Sequence, residues 1–121
     1  MKIKTIIDVT KAEILQKNGI TDIDIKYAFA ADLMSDTLFI ISREEEPVLL
    51  ISGITDQSVV RTAIILDIPV VLIVRGKTVP QKTIELAKKN NIIMLKTHYI
   101  MFVTCGLLYK EGLKGAPWQK R

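Results

Sequence analysis

The tetrapeptide Arg75-Gly76-Lys77-Thr78 ends as a phosphate-binding P-loop ends, with a glycine, a lysine for phosphate oxygens and a hydroxyl for magnesium. That chemistry also needs a glycine five positions before Gly76, where the backbone wraps the phosphate. Val71 stands there, inside an apolar run, and Val79-Pro80 follows where a helix should continue. These departures exclude an NTPase. No G-x-G-x-x-G occurs, so the dinucleotide fingerprint is absent. One histidine, one cysteine and no H-E-x-x-H leave no basis for a structural zinc site. Cys105 lies among Phe102, Val103 and Leu107, the setting of a buried small hydrophobe rather than a nucleophile. His98 precedes it by seven residues, two turns away on one helix, so the two do not form a catalytic pair. Glu44-Glu45-Glu46 before Pro47 reads as a solvated turn. Without a nucleophile–base pair or metal cluster, the expectation is a protein that is not an enzyme and carries no cofactor.

What remains is a set of polar residues following one strand after another. Asp32 and Ser35 come after the first, Ser52, Gly53 and Thr55 after the second, Arg75, Gly76 and Lys77 after the third, and Thr97 and His98 after the fourth. Ligands of open α/β sheets bind beyond the carboxyl ends of the strands, where helix N-termini direct their N–H groups outward. Small hydroxyls, glycines and an Arg/Lys pair at one rim suit an anionic small molecule. Asp, Ser and Thr at such positions are also what helix capping requires. Arg75 and Lys77 are the residues that capping does not explain.

The elements that must position these residues follow from periodicity. Met1–Val9 has Ile3, Ile6 and Ile7 at helical spacing, and Ala12–Leu15 reads as a short strand before the Lys17-Asn18-Gly19 turn. Ile20–Ile25 alternates apolar and polar residues and leads into a strand through Tyr27–Ala31. A βα rhythm then repeats. Asp32 is expected to cap a helix over Leu33–Ile41, followed by a strand at Pro47–Ser52. Thr55 is expected to cap Asp56–Leu66, followed by a β-branched strand at Pro69–Val74. Thr78 is expected to cap a helix with Pro80 in its first turn, ending at Asn90-Asn91. Ile92–Leu95 is the last predicted strand, and Thr97 is expected to cap a closing helix through Tyr109. Strands alternating with helices of about ten residues predict an α/β fold with a mostly parallel sheet.

Composition agrees with one such domain. The chain has 121 residues, of which 49% are hydrophobic, 25% charged and 6% aromatic, which excludes disorder and disulfide scaffolds. The apolar surplus is aliphatic, as a sheet buried on both faces requires. The net charge of +4 is uneven. Residues 1–70 hold 7 basic and 11 acidic groups, and residues 71–121 hold 10 basic and 2 acidic. The basic groups are dispersed over several elements without an Arg-rich run, so a solvated face accounts for them better than a nucleic-acid surface. A single cysteine points to a reducing compartment, and Met1–Thr10 lacks the apolar core of a secretory signal. The longest apolar run, Tyr99–Tyr109, is far short of the roughly 20 residues a membrane span needs. A cytoplasmic protein without a membrane partner is expected, with one domain over 1–113 and a flexible basic tail over 114–121 that carries Trp118.

Phe29-Ala30-Ala31-Asp32-Leu33-Met34-Ser35-Asp36, Leu50-Ile51-Ser52-Gly53-Ile54-Thr55 and Val60-Arg61-Thr62-Ala63 resemble the small stand-alone DRTGG-domain proteins. So do Leu66-Asp67-Ile68-Pro69, Val74-Arg75-Gly76-Lys77 and the closing Thr97-x-Tyr99-x-Met101-Phe102 with Cys105-Gly106. The resemblance runs from about Ala12 to Leu113. Against the name-giving signature, Asp32 and Gly53 match, while Leu33 stands for Arg, Ser52 for Thr and Ile54 for the second Gly. Similar domains form the N-terminal part of HPr kinase/phosphorylase and accompany CBS pairs in some pyrophosphatases. The resemblance implies a three-layer α/β sandwich with a mixed sheet, similar also to the N-terminal domains of some Mur ligases, and a regulatory or assembly role. Two functions follow as expectations. One is a ligand-sensing module that binds a nucleotide or another anionic metabolite at the strand ends through Asp32, Ser35, Ser52, Gly53, Thr55, Arg75, Gly76, Lys77 and Thr97. The other is an assembly protein that docks on a larger partner without a small ligand. The helix over Leu33–Ile41 and the closing helix are too apolar for one small sheet to cover, which predicts a homodimer.

Overall fold

The computed structural model describes residues 1–19, 21–41 and 46–117. Its chain order is α1 (Ile3–Thr10), β1 (Glu13–Gln16), β2 (Tyr27–Ala30), α2 (Met34–Ile40), β3 (Val48–Ser52), α3 (Gln57–Ile65), β4 (Val70–Ile73), α4 (Gln81–Lys89), β5 (Ile93–Lys96), α5 (Met101–Lys110) and β6 (Lys114–Gly115). The six strands form one sheet in the order β1-β5-β4-β3-β2-β6. All neighbours are parallel except β1, which runs antiparallel to β5 with Glu13 opposite Lys96.

Because β2, β3, β4 and β5 succeed one another across the sheet, three crossovers of the same hand place α2, α3 and α4 on the same face. There Met34, Val59, Val60, Ala63 and Ala87 pack on Val48, Leu50, Val71, Ile73 and Met94. The opposite face, formed by Leu49, Ile51, Val70, Leu72, Ile93 and Leu95, is covered by Ile3 and Ile6 of α1 and Leu108 of α5. This is a three-layer sandwich. Successive strand residues point to opposite faces and both faces are covered, so β3 and β4 are buried throughout. No helix among the described residues is long and apolar enough to cross a membrane.

Several expectations need correction. The alternation at Ile20–Ile25 does not make a strand. Ile25 is fully buried beside α1, and residues 21–26 hold only the isolated bridge of Asp24 with Lys2; Ile20 lies outside the described residues. Pairing also continues past the expected domain end. Lys114 and Gly115 align with Tyr27 and Ala28, and the Ala116 amide donates to the Ala28 carbonyl. The expectation of a flexible tail from residue 114 therefore fails at residues 114–116, which supply hydrogen-bond partners to the open side of β2. Trp118 lies outside the described residues, as do Glu44 and Glu45 of the acidic turn.

Candidate functional site

The carboxyl ends of β2, β3, β4 and β5 lie side by side, and the loops that follow them make one rim. The hydroxyls and carboxylates of this rim act less locally than capping predicts. Leu33, not Asp32, holds the N-cap position of α2, and no side chain bonds there. Asp56, not Thr55, caps α3, accepting from the Ser58 amide at 2.8 Å. Pro80 holds the N-cap of α4 and Ile100 that of α5, so Thr78 and Thr97 are not caps either.

Asp32 instead reaches across two strands. Its Oδ1 accepts from the Gly53 amide at 2.7 Å and its Oδ2 from Arg75 Nη1 at 3.1 Å. Lys77 Nζ donates to the Gly53 carbonyl at 2.7 Å. Arg75 and Lys77 thus converge on Gly53 from the loop after β4. A Cβ at Gly53 would stand 2.0 Å from Arg75 Nη2 and 3.1 Å from Asp32 Oδ1, so the ion pair closes over Gly53 only because that residue has no side chain. Burial pulls the Asp32 carboxyl up, but the Gly53 amide, the Arg75 guanidinium and the Lys77 charge together hold it below its ordinary value. The guanidinium on Asp32 comes from the loop after β4 and not from the neighbouring position, where Leu33 stands exposed.

A carboxyl whose folded pKa is depressed adds stability above its unfolded pKa, and that stability is lost as pH falls through the folded value. Asp32→Asn should therefore be less stable than the wild type at pH 6 and match it more closely at pH 3. Both side chains of the pair are about two-fifths exposed, so the difference at pH 6 is expected to stay below about 1 kcal/mol. Urea denaturation at the two pH values checks this, and a gap that widens on acidification would contradict it.

The remaining candidates are placed as follows. The Ser52 hydroxyl is fully buried and accepts from the Ile54 amide at 3.1 Å. Thr97 is also buried, donating to the Thr10 carbonyl at 2.6 Å and accepting from the Tyr99 amide at 3.2 Å. Gly76 adopts φ +60°, with its Cα against the His98 ring, where a Cβ would fall 2.5 Å from Nδ1. Ser35 is exposed on the first turn of α2, and Thr55 is half-buried ahead of α3. The loop after β4 leads to α4 on one face, whereas the loop after β5 leads to α5 on the other. A crevice at such a reversal is the usual ligand position. Here it is bridged, because the Arg75 amide donates to the Tyr99 carbonyl at 2.8 Å and the Gly76 amide to the Thr97 carbonyl at 2.9 Å. The structure thus joins Asp32, Gly53, Arg75 and Lys77 in one cluster, and commits Ser52, Gly76 and Thr97 to internal bonds. The described residues hold no group of three side chains suited to a metal ion.

The fold is that of a three-layer α/β domain with a mostly parallel sheet and polar loops at one end of its strands. No protein-family profile matches the chain, and no curated protein does. Among solved structures, it is similar to the CBS and DRTGG domains of the regulatory region of Clostridium perfringens pyrophosphatase, determined in complex with the activator diadenosine tetraphosphate. The TM-score is 0.71 at 26% identity, over 88% of this chain and 45% of that one. The chain therefore spans less than half of that structure, which is a regulatory region and not a catalytic one.

Proposed function

We propose that the chain is a non-catalytic regulatory module of the DRTGG type, a homodimer that binds a nucleotide or other anionic metabolite at the strand-end rim. The observation that carries this reading is the convergence of Arg75 and Lys77 on Gly53 with donors to spare. Arg75 has five N–H donors and Lys77 three, and the described bonds of these side chains use one of each. With Asp32 included, the cluster keeps one net positive charge. Asp32 holds the guanidinium in place without exhausting it, which is the preorganisation a bidentate phosphate contact needs. The described concavities lie elsewhere. One of about 370 Å³ is lined by Tyr27, Glu46 and Leu113, and another of about 110 Å³ lies beside α5. At the rim, Arg75 and Lys77 would grip the phosphate part of a ligand. The similar regulatory region was solved with an adenine nucleotide bound, and this supports the ligand class.

A thermal-shift panel of ATP, GTP, cyclic dinucleotides and diadenosine tetraphosphate tests the proposal. A ligand at 100 times its Kd should stabilise by about 2.7 kcal/mol, roughly 10 °C for a chain of this size. Gly53→Ala would push Arg75 aside at little cost to the fold, since the atoms it meets end a flexible side chain, and should abolish the shift. No shift in the wild type at millimolar ligand would overturn the reading. That outcome would favour an assembly protein without a small ligand, for which the exposed Phe102 and Tyr109 of α5 speak.

A further inference from the structure

We propose that the His98 ring is a nucleobase platform at the β5 end of the rim, so that the ligand is a nucleotide and not a bare phosphate anion; this rests on the anion-binding reading above and names its ligand class. Two backbone bonds straddle His98. The Gly76 amide donates to the Thr97 carbonyl before it, and the Arg75 amide donates to the Tyr99 carbonyl after it. The Thr97 hydroxyl fixes the same loop from the α1 side, donating to the Thr10 carbonyl and accepting from the Tyr99 amide. The loop that carries the ring is thus tied to the loop that carries Arg75 and Lys77. The spacing between ring and cations is set before any ligand arrives, which spares binding part of its ordering cost.

Glycines make room for the side chains of this rim one after another. Gly53 lets the Arg75 guanidinium close over the end of β3, and Gly76 lets the His98 ring close over the loop after β4. The φ of +60° at Gly76 is one that asparagine also enters, so the approach of the ring adds a reason of its own for glycine. The ring lies there exposed, and among the described residues it has no hydrogen-bond or ion-pair partner. The chemistry changes along the rim. Asp32, Arg75 and Lys77 gather charge at Gly53. From Thr97 to Tyr109 there is no Asp, Glu, Lys or Arg, Lys96 is tied to Glu13 at 3.4 Å, and Ile100 beyond the ring is 56% exposed. A ligand that meets both halves has an anionic end and a flat, uncharged end. Neighbouring strand ends stand about 4.8 Å apart, a gap that the ribose of a nucleotide bridges between phosphate and base. Histidine, like the larger aromatic side chains, offers a ring on which an unpaired base stacks.

Isothermal titration calorimetry of the wild type, His98→Ala and His98→Phe with ATP and with inorganic tripolyphosphate tests this platform. Tripolyphosphate carries the phosphates without ribose or base. The wild type should bind ATP at least about 5-fold more tightly than tripolyphosphate, the lower end of what one stacked base contributes. His98→Ala should erase that preference and leave the tripolyphosphate Kd unchanged, which also shows that the variant folds. His98→Phe keeps a ring and should keep the preference. Equal Kd values for the two ligands in the wild type, an ATP Kd unmoved in His98→Ala, or equal weakening of both ligands there would overturn the platform and leave the anion site standing. Loss of the preference in His98→Phe as well would assign the effect to the imidazole nitrogens and overturn stacking. No binding of either ligand to the wild type would overturn the anion-binding reading, and the platform with it.

Discussion

Leu72→Ala is expected to destabilise the chain by about 3–5 kcal/mol, the range for truncating a leucine that its surroundings cannot collapse upon. Leu72 is fully buried in β4, paired with Ile51 of β3 on one side and Leu95 of β5 on the other. α1 and α5 pack over that face, so the vacated volume has rigid walls on every side. Domains of this size have about 5–15 kcal/mol in total, and the variant should keep only part of it. The rim would suffer with the core, because Arg75 and Lys77 follow the carboxyl end of β4. Urea denaturation monitored by circular dichroism measures the change, and a loss below about 1 kcal/mol would show that β4 is not the centre of the core.

The second large effect is expected at Thr97, where Thr97→Val should cost about 2 kcal/mol. The substitution nearly preserves volume and removes one buried hydroxyl. It leaves the Thr10 carbonyl without its donor and the Tyr99 amide without its acceptor. Leaving buried polar groups unpaired costs about 1–3 kcal/mol, more than the bonds themselves contribute. Thr97 also ties the end of α1 to the loop between β5 and α5, so this hydroxyl joins segments 87 residues apart. Thr97→Ser restores the hydroxyl and should recover most of the loss. If serine and valine are equally destabilising, the hydrogen bonds are not the cause.

The alternation of strands with helices and the apolar character of β3 and β4 were legible because both reflect short-range periodicity. β1 alone makes the sheet mixed and was readable as a strand, whereas β6, parallel to β2, was not. β6 has two residues, Lys114 and Gly115, and exists through pairing with β2, which no local pattern reveals. The Ile20–Ile25 alternation misled because Ile25 plugs the core beneath α1 and not a sheet face. In the rim, position was readable and role was not. Asp32, Thr55, Thr78 and Thr97 all looked like caps, since capping is the commonest local use of such residues ahead of a helix. The bonds of Asp32 run to residues 21 and 43 positions away, and those of Thr97 reach back to α1. Sequence separation hides such contacts. Arg75 and Lys77 stood out from the start because capping had no use for them, and both proved to lie on Gly53.

The most direct test of the rim is a nuclear magnetic resonance titration of the ¹⁵N-labelled chain with ATP and diadenosine tetraphosphate. Anion binding there predicts saturable shifts concentrated at the amides of Gly53, Ile54, Gly76 and Lys77 and at the Arg75 side chain, and their loss in Gly53→Ala. Shifts confined to the concavity lined by Tyr27, Glu46 and Leu113, or no saturable shift at millimolar nucleotide, would contradict it.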